Sequence, residues 1–398
     1  MNGGLNIQPP AEFGSSGVLI ASPVAPVAGY GVVFTIKSIA QAKTAFAQAG
    51  NEAVLTAIEK GFYAEAPEGT TLRVLCMAQA TTLTTLAAPA NAEKLLNDAN
   101  GELRLLTLIK FPSGGYTPVI TEGFDADVHT AVTDMQTLAN TWLGKKKPFR
   151  FFIEGYGATT ISSAKNYATG AAPNGFIINF SINDSTAYAA MLFAGRAARI
   201  EPQENPGKIK TGSLNIPDNA TVKIGSTLLD SISSADLDTL YDKRYISIER
   251  NAVAAGYVIN DDNALVAPTS DYNNLRNGRV IDNATRVAFD VYYRELKNDV
   301  DVTEGGRMSS VAEKALEAAV ETALDARLRP QFSKKKDGTA DVTCLVNPDP
   351  VAYAALYADN GITNPNFNLL ASGLVYLFIQ CRPKGCIKYL NVMLGFTA

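Results

Sequence analysis

LRLLTLIKF, residues 103–111, is a short apolar run bounded by Gly101 on one side and Pro112-Ser113-Gly114-Gly115 on the other. Its apolar side chains fall on neighbouring positions rather than on alternate ones, which is the pattern of a strand covered on both faces. Working outward, TTLRVLCMA (70–78) precedes it, PFRFFIEG (148–155) and GFIINFSI (175–182) follow it, and GVVFTIKS (31–38) lies nearer the start. Helical spacing separates these runs, over 39–65 with a break at Gly50, then 89–100, 125–143 and the alanine-rich 185–199. The helix at 125–143 opens with Asp125 and Asp127, which suits the positive end of its dipole. Five apolar strands alternating with helices predict an α/β layer with a largely parallel sheet over about 30–200.

Outside that layer the pattern changes. Residues 1–29 mix Gly, Pro and Ser with scattered apolar positions and read as an extended arm. EPQENPGKIKTG (201–212) is a polar crossing segment, and YISIERN (245–251) with GYVINDD (256–262) reads as an antiparallel pair. Arg279–Lys297 carries Val280, Ala284, Val287, Val291 and Leu296 on one side, an amphipathic helix. Ser309–Arg329 is a second helix stopped by Pro330, and ADVTCLVN (340–347) is a strand. The runs GLVYLFIQCRP (373–383) and CIKYLNVMLGF (386–396), joined by Lys384-Gly385, predict a terminal hairpin.

Bulk composition bounds the function classes. The chain has 398 residues, 46% hydrophobic and 19% charged, enough for two or three domains. No segment approaches the ~20 apolar residues of a membrane helix. The start, MNGGLNIQPPAEFGSSG, lacks a basic region followed by an apolar one, so assembly in a cytoplasm is the expectation. A net charge of −4 gives no field favouring nucleic acid. Lys145–Lys147 and Lys334–Lys336 have no interleaved aromatics and read as solvated loops. Cys76, Cys344, Cys381 and Cys386 make a poor disulfide framework and read as small packed hydrophobes.

The vocabulary of catalysis is nearly empty. His129 is the single histidine, inside a predicted helix, with no carboxylate or cysteine spacing that suggests a metal site. Neither G-x-x-x-x-G-K-[ST] nor G-x-G-x-x-G nor G-x-S-x-G occurs. Gly155-Tyr156-Gly157 reads as a turn, and Asp261-Asp262 as a solvated turn rather than a catalytic pair. No cofactor or metal is expected, and an enzyme is not.

Four stretches carry a family resemblance: AGRAARIEPQENPG (194–207), YISIERN (245–251), GYVINDDNALVAPTSDYNNLRNGRVIDNATR (256–286) and SGLVYLFIQCRPKGCIKYLNVMLGF (372–396). Together they resemble the contractile sheath proteins of phage tails and related injection systems. The resemblance implies an α/β fold in which a core α+β domain, built from both chain ends, carries an inserted α/β domain. Extended N- and C-terminal arms complete it. The implied domains are an arm at 1–29, an inserted domain at 30–200, a core at 201–385 and an exchanged strand at 386–398.

That resemblance further implies strand exchange between neighbouring subunits, through Leu5 and Ile7 in the first arm and Ile387, Tyr389, Asn391 and Met393 in the last. The expected partners are further copies of the chain in a helical polymer, an inner tube, and baseplate and terminator proteins. The expected setting is a virion tail or contractile injection particle. Glu313, Glu317, Glu321 and Asp325 recur at four-residue steps along one predicted helix, an acidic stripe that is either a solvated face or a tube-facing one. The alternatives are another structural assembly protein, such as a tube, shell or surface-layer subunit, or an enzyme on the α/β domain.

Overall fold

The computed structural model describes residues 15–159, 161–386 and 388. The chain divides into two compact units, Met1–Asp282 and Asn283–Ala398. Leu5, Ile7, Ile387, Tyr389, Asn391 and Met393 lie outside the described residues.

The first unit is organised by one six-stranded sheet. Its strands are β1 (Ser16–Ser22), β2 (Val33–Ile36), β3 (Leu72–Ala78), β4 (Leu105–Lys110), β5 (Arg150–Glu154) and β6 (Gly175–Ile178). Their spatial order is β2-β3-β1-β4-β5-β6. The pairs β3/β1, β1/β4, β4/β5 and β5/β6 are parallel, and only the edge pair β2/β3 is antiparallel. The five strands anticipated from sequence are all here. The sixth, β1, is the exception. Residues 16–22 were expected to belong to an extended arm, but they form the buried middle of the sheet, with Val18, Leu19, Ile20 and Ala21 at 0% exposure. A strand flanked on both sides and covered on both faces needs only a short continuous apolar run, and here that run sits among Gly, Ser and Pro that mimic a linker.

The helices are α1 (Ile39–Ala45), α2 (Leu83–Ala87), α3 (Pro89–Asp98), α4 (Ala126–Gly144) and α5 (Thr186–Arg199), with a further helical stretch over 52–65. Serine and threonine caps start them: Ser38 accepts from Gln41 N–H, Thr82 from Thr85 N–H and Ser185 from Tyr188 N–H. α5 packs on the 57–62 turn and on β4 and β5, while α2 packs on α4. The contact of α5 with the 57–62 turn is close because Gly195 has no side chain, since a Cβ there would run into the Phe62 carbonyl oxygen. The expected pair at 245–262 is present as β7 (Ile248–Arg250) and β8 (Tyr257–Ile259), antiparallel.

The division between the units falls within α6 (Leu275–Tyr292), not near residue 200. The segment 201–282 therefore belongs with the α/β layer. Buried arginines fix it there. Arg150 in β5 grips Asp282 through Nε and Nη2, both at 2.7 Å, and Arg196 in α5 donates from Nε to the Pro206 carbonyl at 3.2 Å and from Nη2 to the Gly212 carbonyl. Both arginines are 1% exposed.

The second unit contains α7 (Ser310–Leu328), β9 (Val342–Val346) and β10 (Leu377–Cys381). α7 buries Val320, Leu324 and Leu328, packed on β9. β10 pairs antiparallel with β9, from Val342↔Cys381 to Val346↔Leu377. The terminal hairpin expected across Lys384-Gly385 is not the pairing found for β10. Most of its second run lies outside the described residues, and Lys384 N–H instead donates to the Gln331 carbonyl at 3.1 Å.

Candidate functional site

In a doubly wound sheet, ligands settle outside the carboxyl ends of the strands, where the order reverses. Here that point lies between β1 and β4, from which the chain order proceeds outward in opposite directions across the sheet. Lys110 closes β4 there, 4% exposed. Its Nζ is 2.8 Å from Asp125 Oδ2, 3.1 Å from Asp127 Oδ2 and 3.1 Å from Tyr116 Oη. It also sits over the rings of Tyr116 and Tyr156, at 4.4 and 4.6 Å. Burial alone would lower the Lys110 pKa, but its bonds to Asp125 and Tyr116 and the two carboxylate charges outweigh burial and raise it.

Asp127 meets the first N–H groups of α2. Its carboxylate accepts from Leu83 N–H (2.6 Å), Thr84 N–H (2.8 Å) and Thr84 Oγ1 (2.7 Å). Burial opposes its charge, and these donors together with Lys110 still hold it below the usual carboxylate range.

Glu154 ends β5 beside this group at 0% exposure. It accepts from Lys110 N–H at 2.5 Å and Thr186 Oγ1 at 2.9 Å. Burial pushes its pKa up to about 8, against those two bonds and the Lys110 charge. The crevice is thus filled by the chain's own side chains, each charge answered by another. A cavity of about 230 Å³ lies alongside, lined by Tyr156, Gly157, Asn179, Ser181 and Thr186 among others.

Sequence reasoning missed this cluster because its members are spread over 110–154 and are brought together by two strand ends and the start of α4. One signal was available: Lys110 and Glu154 are charged residues closing otherwise apolar strand runs.

His129 in α4 is held by Tyr167 Oη at 2.8 Å and the Thr121 carbonyl at 3.1 Å. Burial and the Lys165 charge lower its pKa against that carbonyl bond. Asp261 and Asp262 are not a solvated turn: they are 3% and 0% exposed. Asn205 Nδ2 donates to both, and Arg276 donates to Asp262 from Nη1 (2.7 Å) and N–H (3.0 Å). Burial first, then the Asp261 charge, raises Asp262 to about 7 although Arg276 opposes it. Cys76 and Cys344 are buried thiols pushed up to about 12 by burial, which makes them inert packing groups.

The acidic stripe on α7 faces inward. Glu317 Oε1 accepts from Val346 N–H at 3.0 Å, Glu321 Oε1 from Cys344 N–H at 2.8 Å and Asp325 Oδ1 from Ala340 N–H at 2.8 Å. Glu313 accepts from Asn347 Nδ2 at 3.1 Å and Arg307 Nε at 3.3 Å. All four carboxylates are engaged within the second unit.

The fold has known counterparts. The sheath of the extracellular contractile injection system PVC, contracted, is 11% identical with a TM-score of 0.62, over 96% of this chain and 91% of that one. The helical sheath of the anti-feeding prophage (AFP), also contracted, is 15% identical with a TM-score of 0.58, covering 97% and 93%. A chain of the AFP baseplate is 16% identical with a TM-score of 0.60, covering 96% and 93%. At such identities the likeness concerns the fold, which this chain shares almost end to end. No curated protein matches the sequence. Residues 1–263 match the family described as DUF2586, N-terminal domain, and this chain belongs to that family.

Proposed function

We propose that this protein is a structural subunit of a contractile sheath, which polymerises helically around an inner tube and contracts to drive that tube forward. The observation that carries the reading is the fold shared with the PVC and AFP sheath chains over more than nine-tenths of both partners.

In this reading, copies assemble in a cytoplasm, meet baseplate and terminator proteins at the ends, and become part of a tail or injection particle. Non-closing head-to-tail contacts generate such filaments. Extended segments, with Leu5 and Ile7 at one end and Ile387, Tyr389, Asn391 and Met393 at the other, join sheets of neighbouring copies. These links stay intact while the folded bodies repack during contraction. A charge-based tube contact by α7 would compete with the internal bonds of its carboxylates, since the side chains of Glu313, Glu317 and Asp325 keep only 12%, 11% and 22% exposure. Glu317 and Glu321 are engaged by β9.

Electron microscopy of the purified chain tests the proposal. Striated hollow cylinders are expected; closed shells, sheets or dispersed particles would overturn it. Removing residues 2–14, which stops short of β1 at Ser16, should leave folded chains that no longer form long cylinders. Cylinders of ordinary length after that deletion would count against the N-terminal link.

A further inference from the structure

Among the described residues, the two-stranded sheet of the second unit has one edge closed by side chains and one edge with no paired strand. Asn347 N–H donates to the Tyr376 carbonyl and Arg382 N–H to the Asp341 carbonyl, at 2.8 and 3.0 Å. These bonds flank the ladder and set its phase. Residues 341, 343, 345 and 347 therefore face β10, and the N–H groups of Cys344 and Val346 point to the opposite edge. On that edge stand Glu321 and Glu317, each accepting one of them.

The match is geometric. Carboxylates one helical turn apart are about 6 Å apart along the axis. Alternate residues of a strand repeat at about 6.6 Å. Glu317 meets Val346 and Glu321 meets Cys344, so the helix runs antiparallel to the strand and supplies acceptors at nearly the spacing of a neighbouring strand. The match stops at Val342, whose N–H turns to the Ala340 carbonyl, and Asp325 takes Ala340 N–H instead.

On β10 the same alternation sends Tyr376, Phe378, Gln380 and Arg382 toward β9. That side stays occupied out to Lys384, which donates to Gln331. Leu377, Ile379 and Cys381 direct their backbone groups the other way, and among the described residues β9 is the only strand paired with β10.

We propose that the acidic face of α7 is an edge guard. Glu317 and Glu321 hold the outer amides of β9, so an extended segment from a second copy can join this sheet only along β10. The proposal rests on the strand-exchange reading above and adds to it a direction. An open edge on both sides would let incoming segments add to either side of the sheet, and copies so joined would not share one lattice.

Residue-resolved hydrogen exchange on the full chain, before and after assembly, tests it. In the free chain the amides of Cys344 and Val346 should exchange slowly and those of Leu377, Ile379 and Cys381 fast. Assembly should slow only the latter three. In E317A/E321A the Cys344 and Val346 amides should exchange about tenfold faster in the free chain, the factor that one lost hydrogen bond implies. Assembly of that variant should then yield irregular products in which those two amides become protected again. E317Q/E321Q retains an acceptor oxygen at each position and should keep slow amides and uniform cylinders. E321A alone frees one amide and carries the same contrast if the double variant fails to fold.

Uniform cylinders from the alanine variants, with Cys344 still unprotected in the assembled state, would overturn the guard. So would unchanged exchange of Cys344 in the free E321A chain. That second comparison needs no assembly, so it decides the guard even if the wild-type chain forms no cylinders and the sheath reading itself fails.

Discussion

Replacing Glu154 by glutamine should remove most of the alkaline loss of stability of the α/β unit. The wild-type carboxyl is fully buried, and its pKa is raised from 4.5 to about 8. A raised folded pKa means that the folded chain holds a proton which the unfolded chain releases above about pH 4.5. The stabilisation is therefore complete below that value and is lost as pH rises toward 8. The shift of 3.5, being 8 less 4.5, corresponds at about 1.4 kcal/mol each to a ceiling near 5 kcal/mol. Relaxation around the ionised group should bring the measured loss down to roughly 2–4 kcal/mol. Glutamine is neutral at every pH and keeps an acceptor for Lys110 N–H, so its variant should be the more stable one at pH 8. The assay is urea unfolding followed by the fluorescence of Trp142, the sole tryptophan, which is 3% exposed within this unit. With a slope of about 3 kcal/mol/M, the wild-type midpoint should fall by about 1 M between pH 5 and pH 8. The variant should show only a smaller decline, the part owed to Asp262, which is raised to about 7 in the same unit. Parallel wild-type and variant profiles across this range would refute the reasoning.

Other consequences use the same reporter. Arg150→Met leaves Asp282 buried without its bidentate partner and should cost about 3–5 kcal/mol, whereas the double variant R150M/D282L should recover most of that loss. Strictly additive losses would show that the pair is not coupled. Lys110→Met should be similarly costly, with Asp125→Asn partly restoring the midpoint, because Asp127 keeps three other donors and Asp125 does not. His129 is held below its ordinary value of 6.5, so the unfolded chain binds the proton more readily and stability falls as pH drops through that value. His129→Gln should flatten this acid limb, and an unchanged limb would assign it to other groups.

How much was legible beforehand varied with the kind of contact. Runs such as LRLLTLIKF and TTLRVLCMA disclosed their strands because burial on both faces favours apolar residues on neighbouring positions, and the strand's own sequence carries that pattern. Helix starts were legible through their caps for the same local reason. β1 was not, since Gly17 through Ala21 reads as a linker until two flanking strands are in place to cover it. The unit boundary was misplaced because the ties holding 201–282 to the sheet, Arg150 to Asp282 above all, join positions 132 apart.

The acidic stripe shows the limit most plainly. Its spacing at 313, 317, 321 and 325 determined that four carboxylates share one face of a helix, because 3.6 residues make a turn. Whether that face met water, a tube or a strand depended on where β9 came to rest, which α7 does not encode alone. The same holds for Lys110, Asp125, Asp127 and Glu154. Sequence determined the residue types and their local elements. Only the tertiary structure decided which charges met, because a buried charge is tolerated wherever folding happens to bring it a partner, and that partner can lie anywhere along the chain.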